Sequence, residues 1–432
     1  MPTTDIKFTR KKLKNGLELV LAPLPKNPTI TAIVLFKVGS RHEADRYAGI
    51  SHFLEHMVFK GNKLYHTSRD LSAAIDALGG VFNAFTTKEF TGFHIKVGAE
   101  YLDTALEWLG ALVTTPLLKS PDIEMERNVI LQEINMYNDT PMAQIGNYFE
   151  ELVYPGTKLG RNIIGTKKSL NGIKRKELAE YFNRNYFPGN AVLAIAGDFG
   201  RGGLRKAEEK ISRYFKFHDQ RLQTAVKKPY ESKAKGKRVK VVYKKTDQTH
   251  LMLGAKTFSY LDKRRYPLLV IAALMGGGMS SWAFSEIREK RGLAYYVRGF
   301  ADLYMDAGTF LVSAGLDNNK LELAVKEIMK LYKRIREKTV SAKELKKAKD
   351  HLIGGMLLER ETSEDIATLL GAEVASRDSV TPFSKEIRII KSISASDLRQ
   401  LAQEFFQPER MQLAMIGPWK KKDEEKFAKW LK

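Results

Sequence analysis

The sequence predicts an α+β protein made of two related domains. Three observations carry this expectation: apolar material for more than one core, an internal repeat at a fixed offset, and helices and strands that run in groups without alternating one for one. The chain has 432 residues, 43% of them hydrophobic and 28% charged, against roughly 100–200 residues for an ordinary domain. Gly 32 and Pro 14 are ordinary counts, which excludes collagen-like and largely disordered chains.

The repeat is visible within the one sequence. Residues 181–199 read YFNRNYFPGNAVLAIAGDF, and residues 401–419 read LAQEFFQPERMQLAMIGPW. Both leave a helix, pass a proline and enter a strand that ends at glycine. Pro188 and Pro408 are 220 apart, as are Gly197 and Gly417, and the same offset joins Gly16 to Gly236. Between these stations, HIKVGAEYLDTALEWL at 94–109 is echoed by VSAGLDNNKLELAVKEI at 312–328. One fixed period at several places is the mark of a duplicated unit. It predicts a first domain over 1–215 and a second over 235–432. Residues 216–234 form a linker, because FHDQRLQTAVKKPYESKAK is polar and lacks sustained periodicity.

Apolar periodicity predicts helices at 47–58, 101–113, 121–138, 141–153 and 172–183. The second half offers 264–275, 281–290, 319–335, 342–358, 362–374 and 396–405. Strand patterns occupy 17–22, 30–38, 81–97, 190–196, 237–243, 249–257, 294–301, 307–315 and 411–416. The glycine run at 276–278 lacks the surroundings of a phosphate-binding loop.

The longest apolar run, Leu268 to Met275, is eight residues, far short of the roughly 20 that span a bilayer. The expectation is a soluble cytoplasmic protein with no membrane span. The formal charge of +22 is compatible with an anionic partner. Its lysines and arginines are mixed with acids and not interleaved with aromatics, so no nucleic-acid partner is expected. With no cysteine, a metal must be held by nitrogen and oxygen.

The sharpest local signal is HFLEH at 52–56. On a helix, His52 and His56 project from one face with side-chain bases about 6 Å apart. They could grip one ion, while Glu55 edges the same site; this is the inverted zincin order HxxEH. Two histidines on an apolar helix could equally be core residues. A third ligand must come from elsewhere, and PDIEMERNVILQEINMY around 121–137 presents Glu126 and Glu133 seven apart on one helical face. Either carboxylate fits by spacing; Glu133 is taken as the ligand and Glu126 as the acid that orients it. The offset of 220 carries His52, Glu55 and His56 to Ala272, Met275 and Gly276, so the second half holds no copy of the site.

With these residues, the chain resembles the pitrilysin/insulysin family of zinc peptidases, especially the short members related to mitochondrial processing peptidase. The likeness runs over nearly the whole chain and centres on HFLEHMVFKG at 52–61, with 76 residues between His56 and Glu133. It implies one Zn²⁺ per chain on His52, His56 and Glu133, with Glu55 as general base and Glu126 beside the ligand helix. It implies substrate contacts from Asn83 and Ala84, in an edge-strand segment reading GGVFNAFTTKEFTGFHIKV. Arg288 and Tyr295 of SEIREKRGLAYYV match the family's second pair of substrate-holding residues. The family's fold implies that the two domains form half of a clamshell around a chamber. A complete chamber then needs a homodimer or a heterodimer with a related subunit, and the substrate is a peptide or unfolded polypeptide. Trp282 departs from the charged residue frequent there.

The resulting expectation is a zinc-dependent endopeptidase. A catalytically silent or regulatory partner subunit would share the fold but have no use for all four of His52, Glu55, His56 and Glu133. A basic nucleic-acid-binding protein is the remote alternative and lacks a recognisable motif.

Overall fold

The computed structural model of the chain describes residues 5–217 and 237–432. They gather into two units. The first comprises the described parts of Met1–Asn135, Arg161–Lys227 and Leu358–Phe383; the second comprises those of Met136–Gly160, Lys228–Leu357 and Ser384–Lys432. The linker expected over 216–234 lies outside the described residues from position 218 onward, as does Gly236 of the repeat.

In the first unit, strands β1 (Thr9–Lys12), β2 (Glu18–Pro23), β3 (Thr29–Phe36), β4 (Val81–Thr86), β5 (Thr91–Gly98) and β6 (Ala191–Gly197) form one sheet in the order β1-β2-β6-β3-β5-β4. The segment expected as a single strand over 81–97 folds back on itself, with the Thr87 amide donating to the Phe90 carbonyl at 2.8 Å. Side chains alternate across the sheet. Leu19, Val34, Phe36, Phe93 and Ile195 face one core with the helices Ile50–Val58 and Leu102–Thr114. Val20, Ile33, Leu35 and Ala194 face the opposite way, under Ile366, Leu370 and Val374 of the helix Ser363–Arg377. Covered on both faces, β6 can be apolar throughout, and AVLAIAG is buried at every position. The two edges differ. β1 reads TRKK and is wholly exposed, a charge pattern that discourages pairing with another strand, whereas β4 reads VFNAFT and carries no charge.

The second unit repeats this plan. Strands β7 (Val239–Tyr243), β8 (Gln248–Lys256), β9 (Ala294–Leu303), β10 (Gly308–Asp317) and β11 (Gln412–Gly417) run β7-β11-β8-β10-β9, which is the first sheet's order without β1. The parallel pair recurs in the same place: Leu19 stands opposite Leu193, and Val239 opposite Leu413. One face packs against Arg265–Gly276, Leu321–Glu337 and Ala395–Phe405. On the other, Leu311, Ala414 and Ile416 lie under Ile145, Phe149 and Leu152 of the helix Pro141–Val153. Each sheet thus takes the cover of its second face from the other half of the sequence. The helix expected over 281–290 is a π-helix, Phe284–Glu289. Among the described residues, no helix is long and apolar enough to cross a membrane.

Candidate metal centre

The helix Ile50–Val58 carries two stripes. Ile50, Phe53, Leu54, Met57 and Val58 are buried at the spacing that turns one face into a core. His52, Glu55 and His56 fall on the opposite face, only half-buried. The helix begins at Gly49, whose φ is 96° and where a Cβ would lie 2.6 Å from the Ile164 carbonyl oxygen. Only glycine fits there, so the helix has no side chain at its own cap position. Glu43, 1% exposed, replaces it: Gly49 N–H donates to Oε2 and Ser51 N–H to Oε1, both at 2.8 Å. Ser51 Oγ lies 2.7 Å from Tyr181 Oη.

The second contributor is the helix Ser120–Asp139, anchored by buried Arg127, which donates to the carbonyls of Leu170 and Ile173. Glu133 Oε1 lies 3.7 Å from His52 Nε2, and Glu133 Oε2 lies 3.6 Å from His56 Nε2. The imidazole centroids are 4.6 Å apart. Donor atoms of these three residues all lie within 4.8 Å of one another, the one such group among the described residues. The separations are too long for hydrogen bonds. They approach the roughly 3.3–3.6 Å edge of a tetrahedron whose donors sit about 2.0–2.2 Å from zinc. Two imidazoles and a carboxylate are a donor set that suits this ion and leaves a fourth position.

The surroundings fix the roles of the ring nitrogens. His56 Nδ1 donates to Glu126 Oε1 at 2.9 Å, which leaves Nε2 toward Glu133. The Lys60 ammonium contacts the other Glu126 oxygen. Burial alone would lower the pKa of His56, but the bond and charge of Glu126 outweigh it and raise it. Burial would raise Glu126, yet its bonds to His56 and Lys60 hold it below the ordinary carboxylate value. His52 has no such partner; burial, aided by the charge of His56, pushes it down to about 3, so it is a neutral lone-pair donor. Burial raises Glu133 and Glu55. Glu55 stands outside the converging trio, and its Oε2 accepts from Thr86 Oγ1 at 2.5 Å.

Thr86 ends β4, the edge strand that also holds Asn83 and Ala84. The Thr87–Phe90 turn sets the ladder so that Phe82, Ala84 and Thr86 aim their backbone groups away from β5. Asn83 is exposed, and its Oδ1 accepts from the Ala84 amide at 2.9 Å. His94, opposite Asn83 on β5, lies with Nε2 3.4 Å from Glu364 Oε1. In the second unit, the Arg288 guanidinium stands 5.8 Å from the Tyr295 ring centroid, and Tyr295 is 74% exposed. Glu43, Lys60 and Thr86 escaped the sequence reading. The first shows no local signal, and the last two make contacts that only the tertiary fold creates.

Glu43 makes one measurable statement. Burial pushes its carboxyl up to about 7 in spite of the donors from Ser51 and Gly49. The folded state therefore holds this proton more tightly than the unfolded one. Its contribution to stability is greatest below about pH 4.5 and falls as pH rises toward about 7. Denaturation midpoints measured across that range should show a decline with pH that Glu43→Gln flattens.

The description "Insulinase (Peptidase family M16)" matches residues 19–167, and "Peptidase M16 inactive domain" matches residues 172–352. The second match falls where the repeat carries no copy of the donor trio. A Rickettsia felis protein named an uncharacterized zinc protease is 32% identical over 95% of this chain and 98% of its own length. The Bacillus subtilis protein named uncharacterized zinc protease YmxG is 29% identical over the same shares. The crystal structure of a protease from Helicobacter pylori superposes with a TM-score of 0.89 at 27% identity, covering 96% of this chain and 100% of that one. With its two domains and their order matched along nearly the full length, the chain belongs to peptidase family M16, the insulinase family.

Proposed function

We propose that this chain is a zinc-dependent endopeptidase that hydrolyses peptides or unfolded polypeptide segments. The observation that carries this reading is the convergence of His52, His56 and Glu133 with Glu55 just outside the trio. Zinc held by the three side chains would polarise the peptide carbonyl and acidify the attacking water. Glu55 takes the proton of that water on its carboxylate. Burial, by raising its affinity for protons, makes it a stronger base than an exposed glutamate. The water oxygen adds to the carbonyl carbon, the C–N bond breaks, and Glu55 returns the proton to the leaving nitrogen. Thr86 keeps the Glu55 carboxylate oriented, and Glu126 keeps His56 in the tautomer that frees Nε2.

An extended peptide would pair with the uncharged edge of β4 through backbone groups, which tolerates many side chains. Asn83 would release the Ala84 amide to make room. Arg288 and Tyr295 would hold the peptide near its reacting carbonyl, and a second chain, identical or related, would complete the enclosure. Purified protein carrying one zinc per chain should cut an unstructured peptide mixture, with fragments read by mass spectrometry and cleavage lost on chelation. Intact peptides in the presence of full zinc loading would overturn the reading; native mass spectrometry run in parallel reports the pairing.

A further inference from the structure

We infer that Glu43 is a positioning residue for the metal centre: as a remote cap it sets the rotation of the Ile50–Val58 helix, and through it the aim of His52, Glu55 and His56. The inference rests on the proposed zinc site, though not on peptide hydrolysis.

The helix is nine residues long, too short to hold itself in water. Its first backbone amides need acceptors. An ordinary helix would recruit a Ser, Thr, Asp or Asn at the cap position, but the Ile164 carbonyl leaves room there only for Gly49. Glu43 supplies both acceptors from six and eight residues upstream. The second amide it holds belongs to Ser51, adjacent to ligand His52.

Glu43 is itself fixed. Arg161 donates to its backbone oxygen at 3.2 Å and to Asp45 at 3.1 Å. Lys88, in the β4–β5 turn and 3% exposed, donates to the Arg161 carbonyl. The neighbouring Ser40 and Arg41 amides donate to Thr87 and Lys88 carbonyls at 3.0 Å. The start of the metal helix and the strand bearing Thr86 are thus referred to one hydrogen-bonded frame, so Glu55 keeps its distance from both Thr86 and the ligands.

The test compares zinc affinity, by chelator competition well below the unfolding temperature, in Glu43→Gln, Glu43→Asp and Thr67→Ala. Thr67 caps the Ser68–Asp76 helix, which carries none of the candidate site residues. Glu43→Gln should weaken zinc binding by about 10–100-fold, the usual loss when an outer partner of a ligand is removed. Glu43→Asp, which keeps the carboxyl group but cannot span both amides, should fall between. Thr67→Ala should bind zinc as the wild type does despite a lower unfolding temperature. Unchanged affinity in folded Glu43→Gln or Glu43→Asp, or an equal loss in Thr67→Ala, would overturn the inference. Wild-type protein that binds zinc without cutting peptides would sink the peptidase reading and leave this one standing.

Discussion

Glu55→Gln is expected to keep zinc at about one per chain while kcat/KM for peptide hydrolysis falls by roughly 10²–10⁴-fold, the usual share of a positioned acid–base group. The amide has the shape of the carboxylate and can still accept from Thr86 Oγ1, so the local packing survives. It cannot take a proton from water. Because Glu55 lies outside the converging donors, the metal should be indifferent to the change. Elemental analysis after dialysis, paired with a peptide assay on the same sample, checks both halves. Loss of zinc together with activity would mean that Glu55 holds the metal.

Glu133→Ala is expected to do the reverse. It removes one of three donors and leaves two imidazoles, so zinc affinity should drop by more than about 100-fold, beyond the roughly 10–100-fold of an outer partner. Glu126→Ala tests that contrast on the same helix. It frees His56 Nδ1 and strands the Lys60 ammonium beside it, so a loss within the smaller range is expected. Equal losses would erase the distinction between ligand and orienting acid. Affinity in the wild type should also fall with acidification, because metal must displace a proton from His56, whose affinity for protons is raised by Glu126.

The two histidines and the candidate carboxylates were legible in the sequence because their spacings are helical: His52 and His56 are four apart, Glu126 and Glu133 seven apart. Spacing on one helix could not choose between the two glutamates; the family resemblance favoured Glu133, whose carboxylate lies 3.6–3.7 Å from both imidazoles, while Glu126 bonds to His56 Nδ1. The duplication was legible at its proline and glycine stations, and both sheets keep the corresponding strand order. Local signals failed where charge or turn chemistry was unusual. TRKK offered no apolar alternation for β1. The turn at 87–90 reads TKEF, with neither glycine nor proline, so one long strand was expected in place of a hairpin. The helix Gly203–Tyr214 buries only Ala207 and Ile211, too narrow a stripe to stand out. The helices at 141–153 and 362–374 were anticipated, but nothing in their apolar positions says which sheet they cover.

That last point governs how the polypeptide comes apart. Severing the backbone between 218 and 236 would yield two fragments, each missing a helix its own sheet requires and each holding the one its counterpart lacks. Such a nicked protein would behave as an interlaced pair, co-purifying under native conditions and parting only in denaturant.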